Sequence, residues 1–188
     1  MPGARPEDVL EFWFSPDGSE RREWFHKDPA FDARIRTQFG AVIAEALAGG
    51  LGEWSATPRG ALARVIVLDQ FTRNASRDTP EAFAGDERAR ATASDAIARG
   101  YDRGLAPVER WFLYIPFEHS ESLDDQERSL ALFRALTDET GLADPLDWAE
   151  RHAKVIRLFG RFPHRNAILG RASSPEETEF LRSPGSRF

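Results

Sequence analysis

Apolar residues recur along this chain with the period of a helix. Phe31, Ile35, Phe39, Val42 with Ile43, and Ala46 with Leu47 form one stripe; Trp148, His152, Val155 with Ile156, and Phe159 form another. Spacings of three and four residues place such positions on one helical face. No segment alternates convincingly with period two, and Val65-Ile66-Val67-Leu68 reads as the middle of a helix buried nearly all round. Capping residues followed by proline open four segments: Asp28-Pro29, Thr79-Pro80, Asp144-Pro145 and Ser174-Pro175. The side-chain oxygen accepts from an orphan amide, and proline supplies a helical φ where no donor is needed. Glu177, three residues after Ser174, completes a capping box. Glycines close segments at Gly49-Gly50, Gly100, Gly141, Gly160 and Gly170.

These marks predict eight or nine helices, near residues 6–14, 29–48, 58–75, 80–99, 107–119, 122–139, 145–159, 163–169 and 175–182. The connections are short, which favours antiparallel neighbours, and no linker or low-complexity tract divides the chain. The expectation is one all-α domain over residues 1–188. No 34-residue period is visible, so pattern alone leaves a closed bundle and stacked helix pairs both open.

Composition narrows the function classes. The 188 residues contain no cysteine, which excludes disulfides, thiolate metal sites and thiol catalysis. A net charge of −6 argues against a nucleic-acid partner. The longest aliphatic run is too short to span a bilayer, and the N-terminus lacks a secretory pattern. A cytoplasmic protein with no membrane partner is expected. There is no P-loop, G-x-G-x-x-G, G-x-S-x-G or EF-hand loop.

Three segments carry polar residues where the pattern asks for something else. In the first, Asp69, Gln70, Arg73 and Asn74 continue an apolar face, with Asp69 and Arg73 at the favourable i,i+4 spacing. They read either as a structural ion pair with its neighbours or as the wall of a polar pocket. In the second, Pro116 should kink or end a helix, so Glu118, His119 and Glu121 fall at a helix junction. A histidine between carboxylates suits acid/base work or metal ligation. No second histidine stands at i+3 or i+4, so no metal and no cofactor is assigned. In the third, Arg161, His164, Arg165 and Asn166 surround a helix start at Pro163 whose preceding residue, Phe162, cannot cap. Positive charge at an uncapped N-terminus is a ready anion site, unless Asp69, Glu118 or Glu121 supplies the anion internally. Both alternatives predict that the three segments meet. His152 lies on an apolar stripe and reads as a satisfied core histidine. A zinc site from His119, His152 and His164 is the weaker alternative at spacings of 33 and 12 residues.

These segments resemble, in order and wording, the bacterial domain-of-unknown-function family 924. The matching stretches are Leu10-Glu11-Phe12-Trp13-Phe14, Phe31-Asp32 with Ile35-Arg36 and Phe39, Leu68-Asp69-Gln70-Phe71 with Arg73-Asn74, and Ala82-Phe83. They continue through Pro116 with Glu118-His119-Ser120-Glu121, Asp125-Gln126, His152, and Phe159 to Asn166 with Leu169-Gly170-Arg171. The resemblance runs from about Val9 onward. It implies an all-helical, tetratricopeptide-like stack of antiparallel helix pairs and carries no catalytic assignment. Thr72 stands where the family usually has proline and Asp78 where it usually has glycine, which bears on the turn after Asn74.

The functional expectation is a polar pocket for a small anionic ligand. Asp69, Gln70, Arg73, Asn74, Arg161, His164, Arg165 and Asn166 would bind, and His119, with Glu118 and Glu121, would do acid/base chemistry of the hydrolase or lyase class. The alternative is a tetratricopeptide-like module without catalytic activity that docks a peptide carboxylate. Whether the chain is an enzyme, and its oligomeric state, are not written in these patterns.

Overall fold

A computed structural model describes residues 3–186, and all regular structure among them is helical. The helices are α1 Pro6–Trp13, α2 Pro29–Leu47, α3 Pro58–Val65, α4 Thr72–Ala75, α5 Asp86–Ala98, α6 Pro107–Glu118, α7 Leu123–Thr140, α8 Asp144–Phe159 and α9 Pro175–Phe180. A π-helical segment, Ile66–Phe71, joins α3 to α4, and short 3-10 turns fill several connections. None of the described helices is long and apolar enough to cross a membrane. The chain divides into two compact units. One runs up to Arg77 and includes Glu81–Pro116; the other comprises Asp78–Pro80 and the chain from Phe117 onward. The division falls inside α6, where no linker composition marks it.

Aromatic residues build the first unit. Phe12 stacks on Phe31 at 5.1 Å and meets Phe39 edge-on at 5.1 Å. Trp13, with no exposed surface, contacts Phe31, Phe71 and Phe112. The Leu10–Phe14 run is therefore a packing device. Burying each such ring removes large apolar area from water, and the edge-on pairs add about 0.5–1.5 kcal/mol each.

The predicted helix over 58–75 is present, but its middle is wound as a π-helix. Two of its carbonyls, those of Leu68 and Asp69, accept from side chains. Thr72 Oγ1 donates to Leu68 O at 2.8 Å and to Asp69 O at 3.1 Å, and Arg73 Nη1 donates to Asp69 O at 2.9 Å. A proline at 72 has no hydroxyl to offer; in this chain the threonine serves that carbonyl. Gly85 lies so close to the same turn that a Cβ there would sit 2.0 Å from Leu68 O. Asp78, at the family's usual glycine position, has φ +65°, the left-handed region that glycine enters without strain.

In the second unit, α7 and α8 pack along one another as an antiparallel hairpin. Leu130, Phe133, Leu136, Ala149 and Ala153 are buried, and Val155, Ile156 and Phe162 form a further cluster. The expected cap at Asp28 is present, accepting from Ala30 and Phe31, and so is the Ser174–Glu177 capping box. Asp144 is not a cap: α8 starts one residue earlier than expected, with Ala143 at the cap position and no side-chain bond. The expected helix over 163–169 shrinks to a 3-10 turn, Pro163–Arg165. The expected helix over 80–99 is a 3-10 turn, Pro80–Phe83, followed by α5.

Candidate functional site

The corner after α6 is held by backbone bonding from one buried side chain. Gln126, on the first turn of α7, donates its Nε2 to Glu118 O and to Ser120 O, both at 2.7 Å. Asp125 Oδ2 accepts from Ser120 Oγ at 2.6 Å, and Ser120 Oγ accepts from the Ser122 amide at 3.2 Å. The Asp125-Gln126 pair thus braces the Glu118–Glu121 turn, which explains why the two motifs stand close in sequence.

That turn places Glu118 and His119 beside α8. Glu118 and His152 are both buried, while His119 is partly accessible. His152 Nδ1 lies 2.8 Å from the Trp148 carbonyl oxygen and 3.1 Å from Glu118 Oε1. A carbonyl only accepts, so Nδ1 carries the proton and Nε2 of the neutral ring carries the lone pair. Burial pushes the His152 pKa well below the ordinary histidine value. The charges of His119, Arg165 and His164 push the same way, against the bond to the Trp148 carbonyl. The His119 and His152 rings are 6.1 Å apart. Glu118, His119 and His152 each bring one potential ligand atom, all within 4.8 Å of one another.

The loop after α8 closes around this group. Gly160 ends α8 in the left-handed conformation, φ +68°. Phe162 then takes the cap position without a capping side chain of its own, as its identity requires. The anion comes from within the unit: Glu121 Oε1 accepts from the Phe162 amide at 2.8 Å. Glu121 is also gripped by Arg171, Nη1 to Oε2 at 2.7 Å and Nη2 to Oε1 at 2.9 Å. Burial alone would raise the Glu121 pKa, but Arg171, the Phe162 amide and the charge of Arg165 outweigh it and bring it below the usual carboxylate value.

Arg161 is engaged in the same manner. Its Nε and Nη2 donate to Glu177 Oε1 and Oε2 at 2.7 and 2.8 Å. Glu177 also accepts from the Ser174 amide at 2.8 Å and from Asn166 Nδ2 at 3.2 Å. The Arg161 guanidinium first, with the Ser174 amide and Asn166 behind it, brings the Glu177 pKa down to about 2. Asn166 Oδ1 accepts from Arg171 Nε at 3.0 Å, which links the two pairs. Arg165 is buried with its guanidinium 4.5 Å from the centre of the Phe162 ring, and its Nη2 donates to His119 O at 3.0 Å. The His164 ring lies 5.6 Å from that of Phe162.

The structure therefore brings the Glu118–Glu121 and Arg161–Asn166 segments together within the second unit, with His152 as a member that its place on an apolar stripe had marked as core. Arg171 and Glu177 complete the network. A capping role for Glu177 was visible in the sequence; its pairing with Arg161, across 16 residues, was not.

Asp69, Gln70, Arg73 and the buried Asn74 belong to the first unit, and the first three have partners there. Asp69 Oδ1 accepts from Arg73 Nη1 at 3.0 Å, and Asp69 Oδ2 accepts from Gln70 Nε2 at 2.6 Å. Arg73 also makes a two-point contact with Asp86 at 2.8 and 3.0 Å. Burial lowers the Arg73 pKa, and the Asp69 and Asp86 charges more than restore it. This is the structural ion pair expected from the i,i+4 spacing, extended by one carboxylate. Replacing such a pair whole is often tolerated, whereas removing one member strands a buried charge.

A family model described as a bacterial protein of unknown function, DUF924, matches residues 9–185. The solved structure of a protein of unknown function, ATU0120 from Agrobacterium tumefaciens, is 37% identical in sequence. It aligns with a TM-score of 0.85, covering 94% of this chain and 96% of that one. None of the curated proteins matches the chain.

Proposed function

The chain belongs to the DUF924 family of bacterial proteins, and we propose that its second unit binds a small anion beside Arg165, with His119 and His152 as the acid/base pair of a hydrolase- or lyase-type reaction. The observation that carries this reading is the orientation of His152. With Nδ1 committed to the Trp148 carbonyl, Nε2 presents a lone pair beside the partly accessible His119. A base whose tautomer is set by a second hydrogen bond is the usual way to position imidazole for proton transfer. Arg165, over the Phe162 ring, brings the cation that a carboxylate or phosphate needs. Arg161 and Arg171 hold Glu177 and Glu121, so their role is to shape the loop rather than to meet the ligand. Glu118, bonded to His152, orients it.

Thermal-shift measurements on chelator-treated protein, with inorganic phosphate and succinate as probes, test the reading. Wild type should melt roughly 3–6 °C higher at a tenfold excess over Kd, and Arg165→Gln should lose most of that rise relative to its own ligand-free melting point. Equal rises in both proteins, or none in wild type, would sink it.

A further inference from the structure

We propose that Glu118, His119 and His152 hold a divalent transition-metal ion of the zinc class. The inference rests on the anion site read above and revises its chemistry: an ion held on Nε2 of His152 takes that lone pair out of proton transfer, and water on the ion would serve as the base in its place. Metal uptake is measured without any anion, so either can fail alone. Two imidazoles and a carboxylate are a donor set that zinc and its neighbours accept, and the absence of cysteine from the chain removes softer, thiolate-based alternatives. The three ligand atoms already lie within 4.8 Å of one another. Around a tetrahedral zinc with bonds of about 2.0–2.1 Å they would stand about 3.4 Å apart. The closing movement falls on the side chains of His119, which is partly accessible on the corner, and of Glu118, whose Oε1 stands 3.1 Å from Nδ1 of His152 and has to turn toward the Nε2 side.

The surroundings suit a metal in a second respect. A ligating histidine ordinarily donates its other ring nitrogen to a carbonyl or carboxylate, which fixes the tautomer and aims the ligand. His152 does this with Nδ1, 2.8 Å from Trp148 O. Nε2 is therefore its ligand atom. The backbone around the other two ligands is equally fixed: Gln126 Nε2 bonds the Glu118 carbonyl at 2.7 Å and Arg165 Nη2 bonds the His119 carbonyl at 3.0 Å. Three protein ligands leave a fourth position for water or for an oxygen of an anion, the arrangement of catalytic rather than structural zinc. Arg165, next to His119, is placed to meet the other end of such an anion.

The full chain, stripped with a chelator and titrated with zinc chloride, provides the test, read by calorimetry and by elemental analysis after dialysis. Wild type should take up a single zinc per chain. His119→Ala and Glu118→Gln should bind it more weakly by more than the roughly 10–100-fold that loss of an outer-shell partner costs, with helical circular dichroism retained. His26→Ala, an exposed histidine of the first unit, should bind as wild type does. Cobalt-loaded wild type should show the visible absorption of a tetrahedral or five-coordinate ion, a readout that needs no variant to fold. No zinc uptake by wild type, unchanged affinity in both variants, loss in His26→Ala, or a cobalt spectrum identical to that of the aqueous ion would each overturn the proposal. Zinc uptake without any response to phosphate or succinate would leave the metal site standing and remove the anion reading.

Discussion

A single side chain, Gln126, decides how well the corner between α6 and α7 is defined. It is fully buried, and its amide nitrogen reaches the Glu118 and Ser120 carbonyls, while Oε1 meets no hydrogen-bond partner. The donors therefore carry its role. Gln126→Leu keeps the bulk but strands two carbonyls at the turn that presents Glu118 and His119. The cost of an unmet buried polar group is about 1–3 kcal/mol, so urea denaturation should show a loss of about 2 kcal/mol. A variant as stable as wild type would mean that the corner is set by packing alone. Such a role is invisible in composition. The sequence shows only that glutamine follows an aspartate near a new helix start, and the partners are carbonyls, which every residue has.

The elements divide into those whose ends carry local signals and those whose shape depends on contacts distant in sequence. Ser174 with Glu177, and Asp28 before Pro29, could be read directly because a cap satisfies amides two or three residues away. The Pro163 turn has no capping side chain, as Phe162 before it dictates, and the internal carboxylate that serves it is Glu121. Its predicted length exceeds the observed 3-10 turn because the chain past Arg165 runs on in turns, along which Asn166 reaches Glu177 and Arg171 reaches Glu121. The π-helical Ile66–Phe71 segment was not foreseen at all. An extra residue in one turn leaves a run this apolar looking like any buried helix, and the contact that accommodates it comes from Gly85. Gly85→Ala would press a methyl carbon to 2.0 Å from Leu68 O, and a backbone atom cannot swing aside. Forcing in one extra carbon costs about 1–3 kcal/mol where packing is tight, so the melting temperature should fall by several degrees. No change on substitution would show that the close approach is not maintained in solution. His152 belongs with these long-range features: 33 residues separate it from His119, and only the α7–α8 hairpin brings α8 to the corner.

For the molecule as a whole, the balance of charge is better described by its pairs than by its total. In a chain of net charge −6, the uncapped start at Pro163 suggests a local positive site around Arg161, His164 and Arg165, yet Arg161 and Arg171 are matched by Glu177 and Glu121. One ionising group in each unit ties stability to an opposite end of the pH scale. In the second unit Glu177, held at about 2 by Arg161, favours the folded state above the unfolded carboxylate value of 4.5; that contribution is lost as pH falls from about 4.5 to about 2. In the first unit Tyr114 is raised to about 12 by burial and by its bond to Asp102 Oδ2 at 2.7 Å, with Arg110 opposing. The folded protein keeps that proton where the unfolded chain has released it, so stability falls as pH rises from about 10 to about 12. Glu177→Gln should flatten the acid limb of a stability–pH curve measured by urea denaturation while leaving the alkaline limb unchanged. Tyr114→Phe should do the reverse. If either substitution altered both limbs alike, its effect would come from a general loss of packing rather than from the ionising group it removes.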